Sequence, residues 1–97
     1  MKIVSWHEAA EDELLNEVGF LELQAPGLGR RFFAEVARVE GLINEFPEAA
    51  AEIRPGIRRR VLRRFRFSLL YSIEKKSVLI LALAHHSRRL GYWVGRV

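Results

Sequence analysis

A chain of 97 residues, 49% hydrophobic and 29% charged, has a globular composition and is expected to form one domain over 1–97, near the lower limit of what buries an adequate core unaided. It has no cysteine, which excludes a disulfide framework and a thiolate metal site and suits a reducing cytoplasm. The net charge of +4 conceals a split, because residues 1–53 carry 4 basic and 11 acidic side chains whereas residues 54–97 carry 12 basic and 1 acidic.

Seven of the 13 residues over 54–66 are arginine. Such polarity is expected to present a basic surface to an acidic partner, either nucleic acid or protein. The start, "MKIVSWHEAAEDE", turns acidic before a signal-peptide apolar region can form. The longest apolar run, over 78–84, is too short to span a bilayer, so no membrane partner is expected.

"MKIVSW" reads as a short strand with Ile3 and Trp6 as core contacts. Ser5 and Glu8 have capping-box spacing, which predicts a helix from about Trp6 or His7. The carboxylates Glu8, Glu11, Asp12 and Glu13 crowd its first turns, where the helix dipole favours negative charge. Ala10, Leu14, Val18 and Leu21 give its buried stripe, and Gly19 is expected to mark close packing. "APGLG" breaks the pattern, and a second helix is predicted over 28–46. Its inner face carries Phe32, Val36, Val39 and Ile43, widened by Phe33 and Phe46. So short a linker makes the two helices an antiparallel hairpin.

Pro47 stops the second helix, and "EAAAEIRPG" reads as a loop. "IRRRVLRRF", "FSLLYSIE" and "VLILALAHH" then read as an antiparallel meander. In the first of these strands Ile57, Val61 and Phe65 alternate with Arg59 and Arg63, while Arg58, Arg60, Arg64 and Arg66 flank Leu62 on the other face. In the last, Leu79, Leu81 and Leu83 share one face and Val78, Ile80, Ala82 and Ala84 the other. Two apolar faces imply that this strand is covered on both sides. The order is βααβββ, an α+β fold with a helical hairpin on a small, twisted, mainly antiparallel sheet.

His85 and His86 are strand neighbours and point to opposite faces, so they cannot serve one metal or one catalytic dyad. No metal and no cofactor are expected, since cysteine and a nearby carboxylate cluster are missing and "PGLG" lacks the Lys-Ser/Thr of a phosphate loop. The serines have no nucleophile-elbow context. A metal-independent ribonuclease needs less: a base, an acid and cations for the phosphorane. His86 or Tyr92 could move protons there, with Arg60, Arg64, Arg88 and Arg89 as cations. Against this stands a mechanical reading of "LAHHSRRLGYWVGR", in which Tyr92 and Trp93 lie back on the sheet and Arg89 and Arg96 pair with helix carboxylates.

Three stretches, "APGLGRRFFAEV", "FRFSLLYSI" and "LALAHHSRRLGYWVGR", resemble toxins of type II toxin–antitoxin modules in the ParE/RelE superfamily, and the ParE branch is the more similar. The resemblance covers nearly the whole chain and keeps the order of its parts. It implies a plasmid-stabilising, growth-arresting toxin of the bacterial cytoplasm, held in a hetero-oligomer by a cognate antitoxin. The ParE branch acts on DNA gyrase, trapping cleaved DNA and blocking replication without chemistry of its own. The RelE branch cuts mRNA on the ribosome. For that alternative the matching positions are Arg60 or Arg64, Arg89 and Tyr92, with His86 as a proton carrier. Under the binding reading, Arg58, Arg60, Arg64, Arg88, Arg89, Tyr92 and Arg96 are the expected contacts to target or antitoxin. The chain departs from the pattern at Leu90 and at Phe65-Arg66, where the family commonly carries proline.

Overall fold

The computed structural model describes residues 3–89 and 91–96. Met1 and Lys2 of the first expected strand, the departure at Leu90, and Val97 lie outside the described residues. Strand β1 (Ile3–Trp6) leads into helices α1 (Glu8–Gln24) and α2 (Leu28–Glu45). Strands β2 (Glu52–Arg54), β3 (Ile57–Val61), β4 (Phe67–Ile73) and β5 (Ser77–His85) follow, and a 3-10 turn (Val94–Arg96) ends the described chain. The strands form one sheet in the order β1-β5-β4-β3-β2, with β1 parallel to β5 and the other pairs antiparallel. This is the α+β, βααβββ arrangement with one strand more than expected. The extra strand, β2, lies where the sequence reads as loop. Its three exposed residues have no apolar alternation to reveal them.

The cap of α1 is His7, not Ser5, and its Nδ1 accepts the Ala9 N–H at 3.0 Å. Ala10 and Leu14 are buried, and Val18 and Leu21 pack beside them. The glycine that lets the helices approach is Gly29 rather than Gly19. A Cβ on Gly29 would collide with the Val18 carbonyl oxygen, while Gly19 faces open space. Glu22 closes the hairpin: its two carboxylate oxygens accept the N–H groups of Gly27 (2.7 Å) and Gly29 (3.0 Å), satisfying orphan donors at the start of α2.

On α2, Phe32, Val36, Val39 and Ile43 are buried as their spacing predicts, whereas Phe33 and Phe46 point outward. Phe32 stands edge-on to Phe65 and Phe67 at 5.0 and 5.1 Å, an arrangement whose truncation to alanine typically costs about 3–5 kcal/mol. In β1 it is Val4 and Trp6 that pack inward; Ile3 is exposed. The Trp6 indole N–H donates to Glu40 at 2.8 Å, tying β1 to α2.

The faces of β5 do not alternate simply. Tyr71 pairs with Ile80 and Leu70 with Ala82, so Leu81 is the extra residue of a bulge. Val78, Ile80 and Leu83 therefore lie under the helices. Leu79, Leu81, Ala82 and Ala84 lie on the opposite face with Ile57, Leu70 and Trp93. One inserted residue shifts the parity that the sequence implies. Both faces of β5 are nonetheless covered, one by the helices and the other by the returning tail.

Candidate interaction site: an arginine cleft without carboxylates

Beyond His85 the chain turns back over the open face of the sheet. The turn is built from local bonds: Arg88 N–H to the His85 carbonyl, Tyr92 N–H to Arg89, Val94 N–H to Gly91. Gly91 has φ +76°, a left-handed conformation that favours glycine. Trp93 then drops onto Ile57, Leu70, Leu81 and Ala82 and is 5% exposed. Between this tail and the strands lies a cleft of about 320 Å³. Leu70, Ala84 and Ile53 give it apolar walls, and Arg54, Arg59, Arg88 and Arg89 bring four guanidinium groups to it.

No acidic residue lines the cleft among the described residues. The nearby aromatic faces are occupied from within, with the Arg88 guanidinium 3.9 Å from the Tyr92 ring centre and that of Arg54 5.9 Å from Trp93. These cation–π contacts orient the two arginines at little cost in solvation. Elsewhere three arginines are paired internally, Arg38 with Glu35, Arg58 with Glu52 and Arg96 with Glu13. A second groove, lined by Arg31, Arg38, Arg63 and Arg64, differs from the cleft in holding a carboxylate, that of Glu35.

Of the expected contact residues, the structure brings Arg88, Arg89 and Tyr92 to this cleft, together with both His85 and His86. It places the others elsewhere. Arg58 faces the helix side and donates to the carbonyls of Glu48 (3.1 Å) and Ala50 (2.6 Å), pinning the segment after α2. Arg60 is half-buried on the same side, beside Tyr71. Arg64 is not on a strand at all, since β3 ends at Val61. It sits at φ +66° in the β3–β4 turn and lines a second groove with Arg31, Arg38 and Arg63. Arg96 is half-buried against Glu13, 2.9 Å away. Arg54 and Arg59 lie outside the expected contact set. Arg59 is legible in the sequence, because it shares a strand face with Ile57; Arg54 is not, because the three exposed residues of β2 carry no strand pattern.

The two histidines, expected to face opposite sides of the sheet, both border the cleft. His85 packs edge-on against Phe67 on the helix side, at 4.9 Å, and its Nδ1 accepts the Ser87 N–H. His86 is exposed, with its Nε2 3.0 Å from the Ser68 hydroxyl. The Tyr92 hydroxyl donates to Glu13 Oε2 at 2.7 Å. Burial, reinforced by that carboxylate, pushes the phenol well above its ordinary pKa, the direction opposite to that of a general base. No group of three or more potential metal ligands occurs among the described residues. No described helix is long and apolar enough to cross a membrane.

Comparison with known proteins agrees with this fold. A chain of the solved chromosomal ParDE toxin–antitoxin system from P. aeruginosa superimposes with a TM-score of 0.77 at 18% identity, covering 88% of this chain and 96% of that one. At that identity the likeness speaks for the fold alone. No curated protein matches significantly. The sequence model of the ParE toxin of the type II toxin–antitoxin system parDE matches residues 4–90, which runs from β1 into the turn that walls the cleft. With that span matched and the fold in agreement, the chain belongs to the ParE toxin family of type II toxin–antitoxin systems.

Proposed function

We propose that this protein arrests growth by binding DNA gyrase and blocking replication, breaking no bond itself, and that a cognate antitoxin neutralises it in the bacterial cytoplasm as a hetero-oligomer. The family membership supports the toxin role. The observation that favours binding over cleavage is the state of Tyr92, whose proton is committed to Glu13 while its ring carries Arg88. The two histidines beside the cleft bond serines, His86 to Ser68 and His85 to Ser87, and no hydrogen bond joins the two rings among the described residues. What the cleft offers is fixed positive charge beside apolar walls, a recognition surface.

Target or antitoxin contact is assigned to Arg54, Arg59, Arg88 and Arg89, with Tyr92 holding Arg88 in place. Arg64 belongs to a separate basic groove, and Arg58, Arg60 and Arg96 serve first to hold the fold. The test adds purified protein to a gyrase supercoiling reaction and, separately, to a translation reaction followed by primer extension on the message. Inhibited supercoiling with intact message is expected. Codon-associated cleavage with normal supercoiling refutes the gyrase reading in favour of a RelE-like endoribonuclease acting on ribosome-bound mRNA.

A further inference from the structure

Strand β5 outlasts its parallel neighbour. β1 pairs with it only from Ser77 to Ile80, and the His7 N–H makes the last bond, to the Ile80 carbonyl at 2.8 Å. There the chain leaves the sheet to enter α1. Side chains supply what the missing strand would have. The Arg96 guanidinium donates to the Leu81 carbonyl at 3.0 Å, and Glu13 Oε1 accepts the Leu83 N–H at 3.1 Å. Glu13 also receives Arg96 through both oxygens, at 2.9 and 3.0 Å, and the Tyr92 hydroxyl at 2.7 Å. One carboxylate from the second turn of α1 thus takes four hydrogen bonds, three of them from the last residues of the chain. The Glu13 and Arg96 side chains are both 17% exposed, so water competes little for either.

We infer that Glu13 is a positioning residue for the arginine cleft. It does not line that cleft, and it acts through Tyr92 and Arg96. The tail that forms the cleft's outer wall has only single turns of its own, and turns of that length do not hold a fixed shape unaided. Trp93 anchors the wall by burial, which is non-directional. The charged bonds to Glu13 supply direction, fixing the Tyr92 ring and thereby the guanidinium of Arg88 stacked on it. The role at the cleft rests on the reading of that cleft as the contact surface for the target.

The experiment compares the wild type with Glu13→Gln, which keeps an oxygen for the Leu83 N–H but loses the charge, and with Tyr92→Phe, which keeps the ring. Arg96→Lys is the conservative variant. Arg38→Met, which breaks a helix-surface pair far from the tail, is the control. Three readouts are taken: exchange of the Leu83 amide with trypsin cleavage at Arg88 and Arg89, growth arrest on induction, and gyrase inhibition in vitro. In Glu13→Gln the tail is expected to open about tenfold more often, the factor that goes with losing one charge-assisted hydrogen bond, and potency to fall by a similar factor. The circular dichroism spectrum should not change. Arg96→Lys, which keeps the charge but not the two-point contact, should show both effects to a smaller degree, and Arg38→Met should show neither.

Wild-type tail protection in Glu13→Gln would overturn the latch. An open tail with full growth arrest would overturn the positioning role while leaving the proposed function intact. If the wild type arrests growth but spares gyrase, the gyrase reading falls, and the ordering of the variants in growth arrest still decides the inference. A wild type that fails to arrest growth overturns both.

Discussion

Arg58 and Arg59 are consecutive on β3 and face opposite sides of the sheet, so replacing each with methionine should separate stability from recognition. Arg58 donates two charged hydrogen bonds to main-chain carbonyls and its side chain is 22% exposed. Each such bond is worth about 1.5–3 kcal/mol when well shielded; with this much solvent the pair together should contribute about 2 kcal/mol. The contact with Glu52, 3.6 Å long to a carboxylate that is 47% exposed, adds at most a few tenths. Arg58→Met should then lower Tm by about 8–16 °C for a domain of this size. Arg59 is exposed and forms no ion pair among the described residues. Its replacement should change stability by less than about 0.5 kcal/mol and weaken target inhibition by about tenfold. Thermal unfolding by circular dichroism, with supercoiling titrations of the same preparations, reads both quantities. An Arg58→Met protein that melts like the wild type but no longer inhibits would refute this division of labour between the two faces.

Two further predictions concern the other side of the molecule. Arg64 holds φ +66°, a conformation costly for any residue with a Cβ, so Arg64→Gly should stabilise the protein by about 0.5–1 kcal/mol, measured as a higher urea midpoint. Glu35 is held below the usual carboxylate range by its bidentate bond to Arg38, aided by the Arg63 N–H and opposed by burial. Its contribution to stability is present above pH 4.5, the unfolded value, and is lost as the pH falls through the lower folded value. Glu35→Gln should therefore be less stable than the wild type at pH 6, and the gap should close on acidification below pH 4.5. A gap that stays constant with pH would show that the carboxylate's charge is not what holds the β3–β4 turn.

The amphipathic spacing of α2 determined its buried face almost completely. Phe32, Val36, Val39 and Ile43 lie on one stripe because a 3.6-residue repeat leaves little choice. The same local rules were enough for the meander of β3, β4 and β5 and for the covered faces of β5. Hydrophobic pattern also suggested that Phe33 and Phe46 would be buried, but the stripe on α2 is narrower than the run of apolar residues, and both rings remain outside.

Local pattern alone dictates the order of every strand and helix except β2, the polarity of the charge and the family character of the ending. The direction in which each arginine points depends instead on how the chain packs. A guanidinium's role depends on which carboxylates and carbonyls the fold brings within about 3 Å of it. Glu13 meets Arg96 across 83 positions of chain, the bulge at Leu81 shifts the faces of β5, and β2 adds Arg54 to a cleft no local pattern announces. Charge is written in the composition, but whether it is neutralised at home or left for a partner is a property of contacts between residues far apart in the chain.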